Sequence, residues 1–498
     1  MDVDPSLRRP LSHPHGADEP DRAVLGALRA RSTRGALVSV GGQALSQILR
    51  LGGNLILARL LYPEAFGLMA LVNLLMLGLQ AVSDVGVQPA LIRHHRGDDR
   101  RFLDTAWTLQ ASRGALLWLV GSLAALPMAL FYREPALSSL VPVACLGVLV
   151  TGLSSTKLAT YTRRMAPSRI VAIEVGSQAA ALGVLVALAF VWRSVWVLVI
   201  GGLVAATLRC VLSHVVLGGA MNRPAWDRAA ARELIAFGRW ILVSTALTFV
   251  ALRVDIALLG RLLPVEVLGV YSIGIVLPTA VRDVLGQIGR FVVLPALSVS
   301  QRAGSDVLVA NYLRMQRMSA PAAVLGLTAA AFAAPAFFIF LYDDRYHAAA
   351  WIAQLALAGT WFSYLAEVGG AALVAIGDSR AWALCTALRA VVMTVGCALG
   401  FAVGALPGLI LGSGAASCVT YLFTGRQLAR HGVRTLATDL RYTALGAVLA
   451  AGAGWLPHLA GDPSPRATAL RSLLLGAALL APLAVWVMLR LRRTRRGA

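Results

Sequence analysis

ALVSVGGQALSQILRLGGNLILARLLYPEAFGLMALVNLLMLGLQAVSDVGVQPALIRHHRGDDRR, residues 36–101, contains two apolar runs, at 36–58 and 66–92. Each is long enough to cross a hydrocarbon core of about 30 Å as a helix. A short turn with one basic residue, Arg59, separates them, and Arg93, Arg96, Arg100 and Arg101 follow the second. The alternation continues along the chain, giving fourteen expected spans: 36–58, 66–92, 103–131, 137–157, 169–191, 195–217, 236–260, 266–300, 318–341, 348–376, 380–403, 405–425, 441–460 and 468–489. With the connections read alternately as inside and outside, 31 of the 45 Lys and Arg fall in the tails and loops of one side. Only 6 fall in loops of the other side, and 8 lie within apolar runs. Basic residues collect on the cytoplasmic side of a membrane protein, so both termini are expected there. The fold class is all-α and polytopic.

Composition narrows the function. With 58% hydrophobic and 14% charged residues and a mean hydropathy of +0.72, an ordinary soluble enzyme is excluded. The net charge of +21 is spread over short loop clusters, which suits anionic lipid headgroups and gives no reason to invoke nucleic acid. Among the basic residues 44 are Arg and only Lys157 is Lys, in keeping with a GC-rich bacterial genome. The five cysteines, Cys145, Cys210, Cys385, Cys397 and Cys418, sit in apolar runs without a C-x-x-C pair and read as small buried hydrophobes. His13 and His15 lie in a Pro-rich tail and read as solvated. No cofactor and no metal are expected.

An internal repeat divides the chain. Arg59-Leu-Leu-x-x-Glu64-x-x-Gly67 returns as Arg261-Leu-Leu-x-x-Glu266-x-x-Gly269, and Asp84-Val-x-x-Gln88 as Asp283-Val-x-x-Gln287. Six expected helices separate the copies, so both halves enter the membrane in the same sense, as in a parallel repeat. The expected domains are a flexible tail 1–35, a six-helix lobe 36–217, a surface-lying connector 218–235, and a second six-helix lobe 236–425. Two further helices occupy 426–489 and a basic tail 490–498.

Polar residues inside the spans point to an internal chamber. Gln43, Gln47, Arg50 and Asn54 are spaced 4, 3 and 4 residues apart, which puts them on one helix face. Such a face is costly against lipid and must turn toward protein or water. Asn73, Gln80, Asp84 and Gln88 repeat the device on the second span, and Ser272, Thr279, Asp283, Gln287 and Arg290 on the eighth. Ser244, Thr248, Arg253 and Asp255 mark the seventh, and Arg113, Glu174, Arg209, Arg282, Glu367 and Arg389 are also embedded. One reading has these charges pairing within each bundle, as Arg50 with Asp84, Arg253 with Asp255 or Asp283, and Glu367 with Arg389. The excess of Arg over acid favours a second reading, in which a phosphate or pyrophosphate completes the balance. The candidate cavity residues are therefore Gln43, Gln47, Arg50, Asn54, Asp84, Arg253, Asp255, Arg282, Asp283, Arg290 and Arg389. Arg50, Arg253 and Arg282 are the expected diphosphate ligands.

The segments Arg59-Leu-Leu-Tyr-Pro-Glu-Ala-Phe-Gly-Leu-Met-Ala70 and Ser83-Asp-Val-Gly-Val-Gln-Pro-Ala-Leu-Ile92 resemble the N-terminal hallmark of polysaccharide-type flippases. Phe237-Gly-x-Trp240, Arg253-x-Asp255 and Leu259-Gly-Arg-Leu-Leu263 carry the same resemblance in the second half. These flippases belong to the multidrug/oligosaccharidyl-lipid/polysaccharide (MOP) exporter superfamily. The resemblance implies two six-helix lobes in a V, alternating access, and a glycan on a polyprenyl diphosphate as cargo in a bacterial inner membrane. It also implies glycosyltransferases and a polymerase as pathway partners. A cation-coupled drug exporter would need acids and aromatics for cationic cargo. A membrane-embedded glycosyl- or phosphotransferase would need paired carboxylates. The adjacent Asp pairs are Asp98-Asp99 and Asp343-Asp344, and both fall in loops. A non-transporting scaffold would need no polar interior.

Overall fold

The computed structural model of the protein describes residues 19–83, 86–94, 96–164, 166–288, 297, 305–455 and 464–496. Asp84, Arg290 and residues 1–18, with His13 and His15, lie outside them, while 19–35 of the expected flexible tail form the start of α1. Among the described residues the fold is all helical, with no strand. The helices are α1 (Glu19–Leu60), α2 (Pro63–Ala81), α3 (Val87–Arg93), α4 (Arg100–Tyr132), α5 (Leu137–Gly152), α6 (Lys157–Arg163), α7 (Pro167–Val191) and α8 (Val195–Val215). The second half holds α9 (Arg228–Leu262), α10 (Val265–Gly274), α11 (Val276–Ile288), α12 (Ser305–Leu341), α13 (Ala349–Ile376) and α14 (Ser379–Arg430). It ends with α15 (Leu436–Trp455) and α16 (Pro465–Arg496).

Ten helices among the described residues are long and apolar enough to cross a membrane, or eleven if the bent pair α5 and α6 is one span. The number differs from the fourteen expected for physical reasons. α14 contains two expected spans and folds back at Gly404 and Ala405, where Ala405 takes a φ of 48°. Its two arms pack through Gly396 and Gly400 against Gly412 and Gly408, where a Cβ would strike the opposing backbone. α1, with its polar stripe, and α15 are not among the ten.

The two halves repeat one packing scheme. α1 packs on α7, α4 on α5, and α7 on α8; correspondingly α9 packs on α14, α12 on α13, and the arms of α14 on each other. The halves meet where the sequence repeat lies, α2 crossing α10. A Cβ on Gly67 would collide with the Val265 carbonyl, and one on Gly269 with the Pro63 carbonyl. Val265 and Pro63 are themselves equivalent positions, so the contact is reciprocal, as a two-fold axis between the halves requires. Each copy also reaches across to the other half. Arg59 donates from Nε to the Leu341 carbonyl at 2.9 Å, and the Arg261 guanidinium lies 5.6 Å from the centre of the Phe131 ring. Arg345 covers Tyr62 at 4.9 Å, and Tyr346 donates to the Leu61 carbonyl at 3.4 Å. Leu57, Ala58 and Leu61 share an apolar core here with Phe338, Tyr342 and Tyr346. Glu134 sits close to Glu64 and Glu266, and partial burial followed by those two like charges raises its carboxyl above the usual range.

The expected connector 218–235 divides in two. Residues 218–227 form a non-helical strap, and α9 begins at Arg228. The strap is tied to α4: the Arg223 amide donates to Asp104 at 3.1 Å, the Ala225 amide to Thr108 at 3.0 Å, and the Asp227 amide to Thr105 at 3.2 Å. Asp227 then caps α9, accepting from the Ala229 amide at 2.8 Å. Lys157 donates to the His214 and Leu217 carbonyls at the end of α8, where a cation meets the negative end of the helix. These contacts fasten the strap, most of whose residues are exposed, to the first half.

Each adjacent Asp pair has basic side chains beside it. Asp98 lies 3.7 Å from Arg163 and 3.4 Å from Arg164, and Asp99 lies 3.0 Å from Arg96. The Arg96 hydrogen bond, reinforced by the Arg101 amide, holds Asp99 below the usual carboxylate range. Asp343 pairs with Arg345 at 2.7 Å and Asp344 with His347 at 3.2 Å. The five cysteines carry free thiols.

Candidate functional site

Two adjoining cavities lie against α9. The first, about 560 Å³, is walled by α2, α3, α4, α5, α6, α8 and α9. The second, about 440 Å³, is walled by α9, α11, α13 and α14. Thr248 and Leu252 of α9 border both, so one helix forms the partition.

The first cavity is a cationic chamber with apolar walls. Arg113 (α4), Arg209 (α8) and Arg253 (α9) reach it, together with Gln80, Gln88, Gln110 and Thr151. No Asp or Glu is among its described wall residues. Each arginine is held differently. Arg113 donates from Nε to the Ser83 hydroxyl and from Nη2 to the Gln80 carbonyl, both at 3.0 Å, which aims it across the end of α2. Arg209 donates to Glu174 of α7 at 3.0 Å, outside the wall, while its Nε is buried without a hydrogen-bond partner. Arg253 forms no ion pair among the described residues. Leu77, Leu117, Phe249 and Leu252 supply the apolar surface, which lowers the local dielectric and strengthens attraction to an anion.

The second cavity is balanced. Arg282 and Arg389 face it, but so do Asp283 and Glu367, and Arg389 lies 3.7 Å from Glu367. That is the pair expected from sequence.

The eleven candidate residues separate accordingly. Arg253 borders the first cavity, and Arg282, Asp283 and Arg389 the second. Gln43 and Arg50 are exposed on α1 and Gln47 and Asn54 half-buried, apart from the walls of both. Arg50 donates to Gln47. The adjoining face of α1 packs on α7, with Gly42 against Val171, Gly53 against Leu182, and Gln178 donating to the Ser46 carbonyl at 3.1 Å. Asp255 lies off both walls. Its Oδ2 accepts from the Tyr271 hydroxyl at 2.5 Å, and its Oδ1 is buried without a partner. Asp84 and Arg290 lie outside the described residues. Arg113 and Arg209 were visible only as embedded charges, and neither belongs to a polar stripe; their apolar flanks were the one available signal.

Residues 56–350 match the family model described as "Polysaccharide biosynthesis protein". The chain belongs to this family. The matched segment carries every arginine of the first cavity and Arg282 of the second, but not Arg389. A curated relative, the teichuronic acid biosynthesis protein TuaB of Bacillus subtilis (strain 168), is 23% identical over 305 residues. That match covers 60% of this chain and 62% of the relative's length. Among solved structures, the lipid II flippase MurJ in an inward closed conformation superposes with a TM-score of 0.68 at 11% identity, covering 92% of this chain and 99% of MurJ. An inward-facing multidrug resistance MATE transporter of the MOP superfamily gives a TM-score of 0.58 at 13% identity, covering 78% and 95%. The fold is the one shared with these two structures, and its apolar helices make it a polytopic membrane protein.

Proposed function

We propose that this protein flips polyprenyl-diphosphate-linked oligosaccharide units from the inner to the outer leaflet of a bacterial inner membrane for cell-surface polysaccharide assembly. The observation that carries this reading is a chamber with three guanidiniums and no carboxylate among its described wall residues. A diphosphate leaving the headgroup region loses water and needs charged donors in exchange. Arginine forks match phosphate oxygens, and several weak contacts along a path bind without trapping. In this reading the lobes 36–217 and 236–425 rock about the Gly67–Gly269 junction, which closes the outer side, while the cavities load from the inner side. Residues 426–489 add two helices, and the tails 1–35 and 490–498 stay cytoplasmic. Glycosyltransferases and a polymerase would supply and consume the cargo.

Two measurements test this. In proteoliposomes, the protein should translocate a labelled polyprenyl-diphosphate oligosaccharide and leave a lipophilic cationic dye untransported. Transport of the dye alone would favour the drug-exporter reading and remove this one. For orientation, reporter fusions after Arg133 and Arg345 should read as external, and those after Arg101, Arg232 and Arg434 as cytoplasmic. A cytoplasmic reporter active at Arg345 would reverse the assignment of the junction as the outer gate.

A further inference from the structure

The second cavity, about 440 Å³, carries a chemistry that the first does not. Two guanidiniums, Arg282 and Arg389, share its wall with two carboxyl groups, Asp283 and Glu367, and with the Trp382 ring. The acids offset the attraction of the arginines for a second phosphate, and the arginines repel a cationic ligand. A hydroxyl-rich, uncharged ligand uses both, since each hydroxyl can donate to a carboxyl oxygen while it accepts from a guanidinium.

The wall is arranged for that exchange. Arg389 Nη1 stands 3.7 Å from Glu367 Oε1, longer than a hydrogen bond. One hydroxyl oxygen about 2.8 Å from each closes the gap, accepting from the guanidinium and donating to the carboxyl oxygen. Gly286 of α11 leaves the other carboxyl oxygen uncovered: a Cβ there would lie 3.5 Å from Glu367 Oε2. Trp382 of α14 is half-buried, and its ring lies over Gly370 of α13, where a Cβ would strike it. Close backbone approach thus fixes an indole at the wall. The C–H face of a pyranose is apolar and packs on the electron-rich face of such a ring. Apolar walls with an aromatic and a few convergent polar groups, within about 300–1,000 Å³, are what small-molecule sites present.

Thr248 and Leu252, one turn apart on α9, border both cavities. In a glycan diphosphate a single oxygen joins the phosphate to the first sugar, so a site for that sugar must adjoin the phosphate site. We propose that the second cavity is a subsite for uncharged pyranose units, the first sugars beyond the diphosphate. Glu367 and Arg389 hold a ring hydroxyl, and Trp382 supports the C–H face. This subsite rests on the flippase reading of the arginine chamber, and it adds that the glycan itself is recognised.

The test is binding of three lipids to the purified full-length protein in detergent, measured by native mass spectrometry. The probes are bare polyprenyl diphosphate and the same lipid carrying one glucose or one N-acetylglucosamine. The wild type should bind the sugar-bearing lipids about tenfold or more tighter than the bare one, the contribution of one hydrogen bond to a charged group. That gain should shrink to about twofold or less in Glu367→Gln, whose neutral amide is the weaker acceptor, and in Gly286→Leu, which fills the space beside Glu367. Gly286→Leu keeps every charge, so it carries the test if Glu367→Gln does not fold. The Arg113, Arg209 and Arg253 triple Ala variant should weaken all three probes and keep the gain. Equal binding of bare and sugar-bearing lipids by the wild type, or a gain unchanged in Gly286→Leu, would overturn the subsite and leave the chamber reading standing. Failure of the wild type to bind any of the three would overturn both.

Discussion

Replacing Arg113, Arg209 and Arg253 together by Ala should lower translocation of a diphosphate-linked glycan on the order of a hundredfold or more, with inserted protein unchanged. A hydrogen bond to a charged group contributes about 1.5–3 kcal/mol, and about 1.4 kcal/mol is tenfold in rate. Each single Ala should therefore cost about tenfold, with less than full additivity because the three share one ligand. Arg253→Ala is the cleanest of the set, since Arg253 has no ion pair among the described residues and its loss orphans no acid. Arg209→Ala leaves Glu174 unpaired, but that side chain is 46% exposed and solvated. Arg113→Ala releases the Ser83 hydroxyl and the Gln80 carbonyl, a small local change. Lys at each position should recover part of the rate, because it restores charge without the two-pronged geometry. The check is the initial rate per inserted protein in proteoliposomes. Wild-type rates from the triple Ala variant would make these arginines structural.

The second large effect is expected at the junction of the two repeats. Gly67→Leu and Gly269→Leu should each prevent the halves from closing there, and transport should fall about tenfold or more. The added Cβ of either points at a main-chain carbonyl, Val265 or Pro63, which cannot move aside as a side chain would. Gly78 is the useful contrast, because its neighbour is the Phe249 ring, a side chain that can turn. Spin labels at Ser138 and Asp344, exposed residues on opposite halves near this junction, should report longer distances in both Leu variants. Unchanged distances with unchanged transport would show that the junction does not need its glycines.

The repeat was legible because backbone approach leaves a residue-level mark. A turn that must end one helix, begin another and touch its own copy needs glycine at one place, and Gly67 and Gly269 stand 202 residues apart in matching words. Helix positions were legible from hydropathy, since lipid tolerates no unsatisfied backbone. The chamber was only partly legible. Periodicity reports which residues share a face, but not what that face meets. The stripe Gln43, Gln47, Arg50 and Asn54 is real on α1, yet the residues that border the first cavity come from seven other helices. Arg113 and Arg209 converge there because α4 and α8 both pack on α5, a tertiary fact with no local signature. The Arg389–Glu367 pair was readable as a charge balance on neighbouring spans, and the fold brings it together. The strap 218–227 was not, because its hydrogen bonds run from its backbone to Asp104, Thr105 and Thr108, far away in sequence.

The claim that an arginine chamber grips the phosphates of a carrier lipid is tested most directly by varying those phosphates alone. Binding of polyprenyl diphosphate, polyprenyl monophosphate and free polyprenol to the purified protein should be compared by native mass spectrometry, for wild type and the Arg113, Arg209 and Arg253 triple Ala variant. The account predicts affinity falling in the order diphosphate, monophosphate, alcohol for the wild type, and no such order for the variant. Equal binding of the diphosphate and the alcohol by the wild type would contradict it.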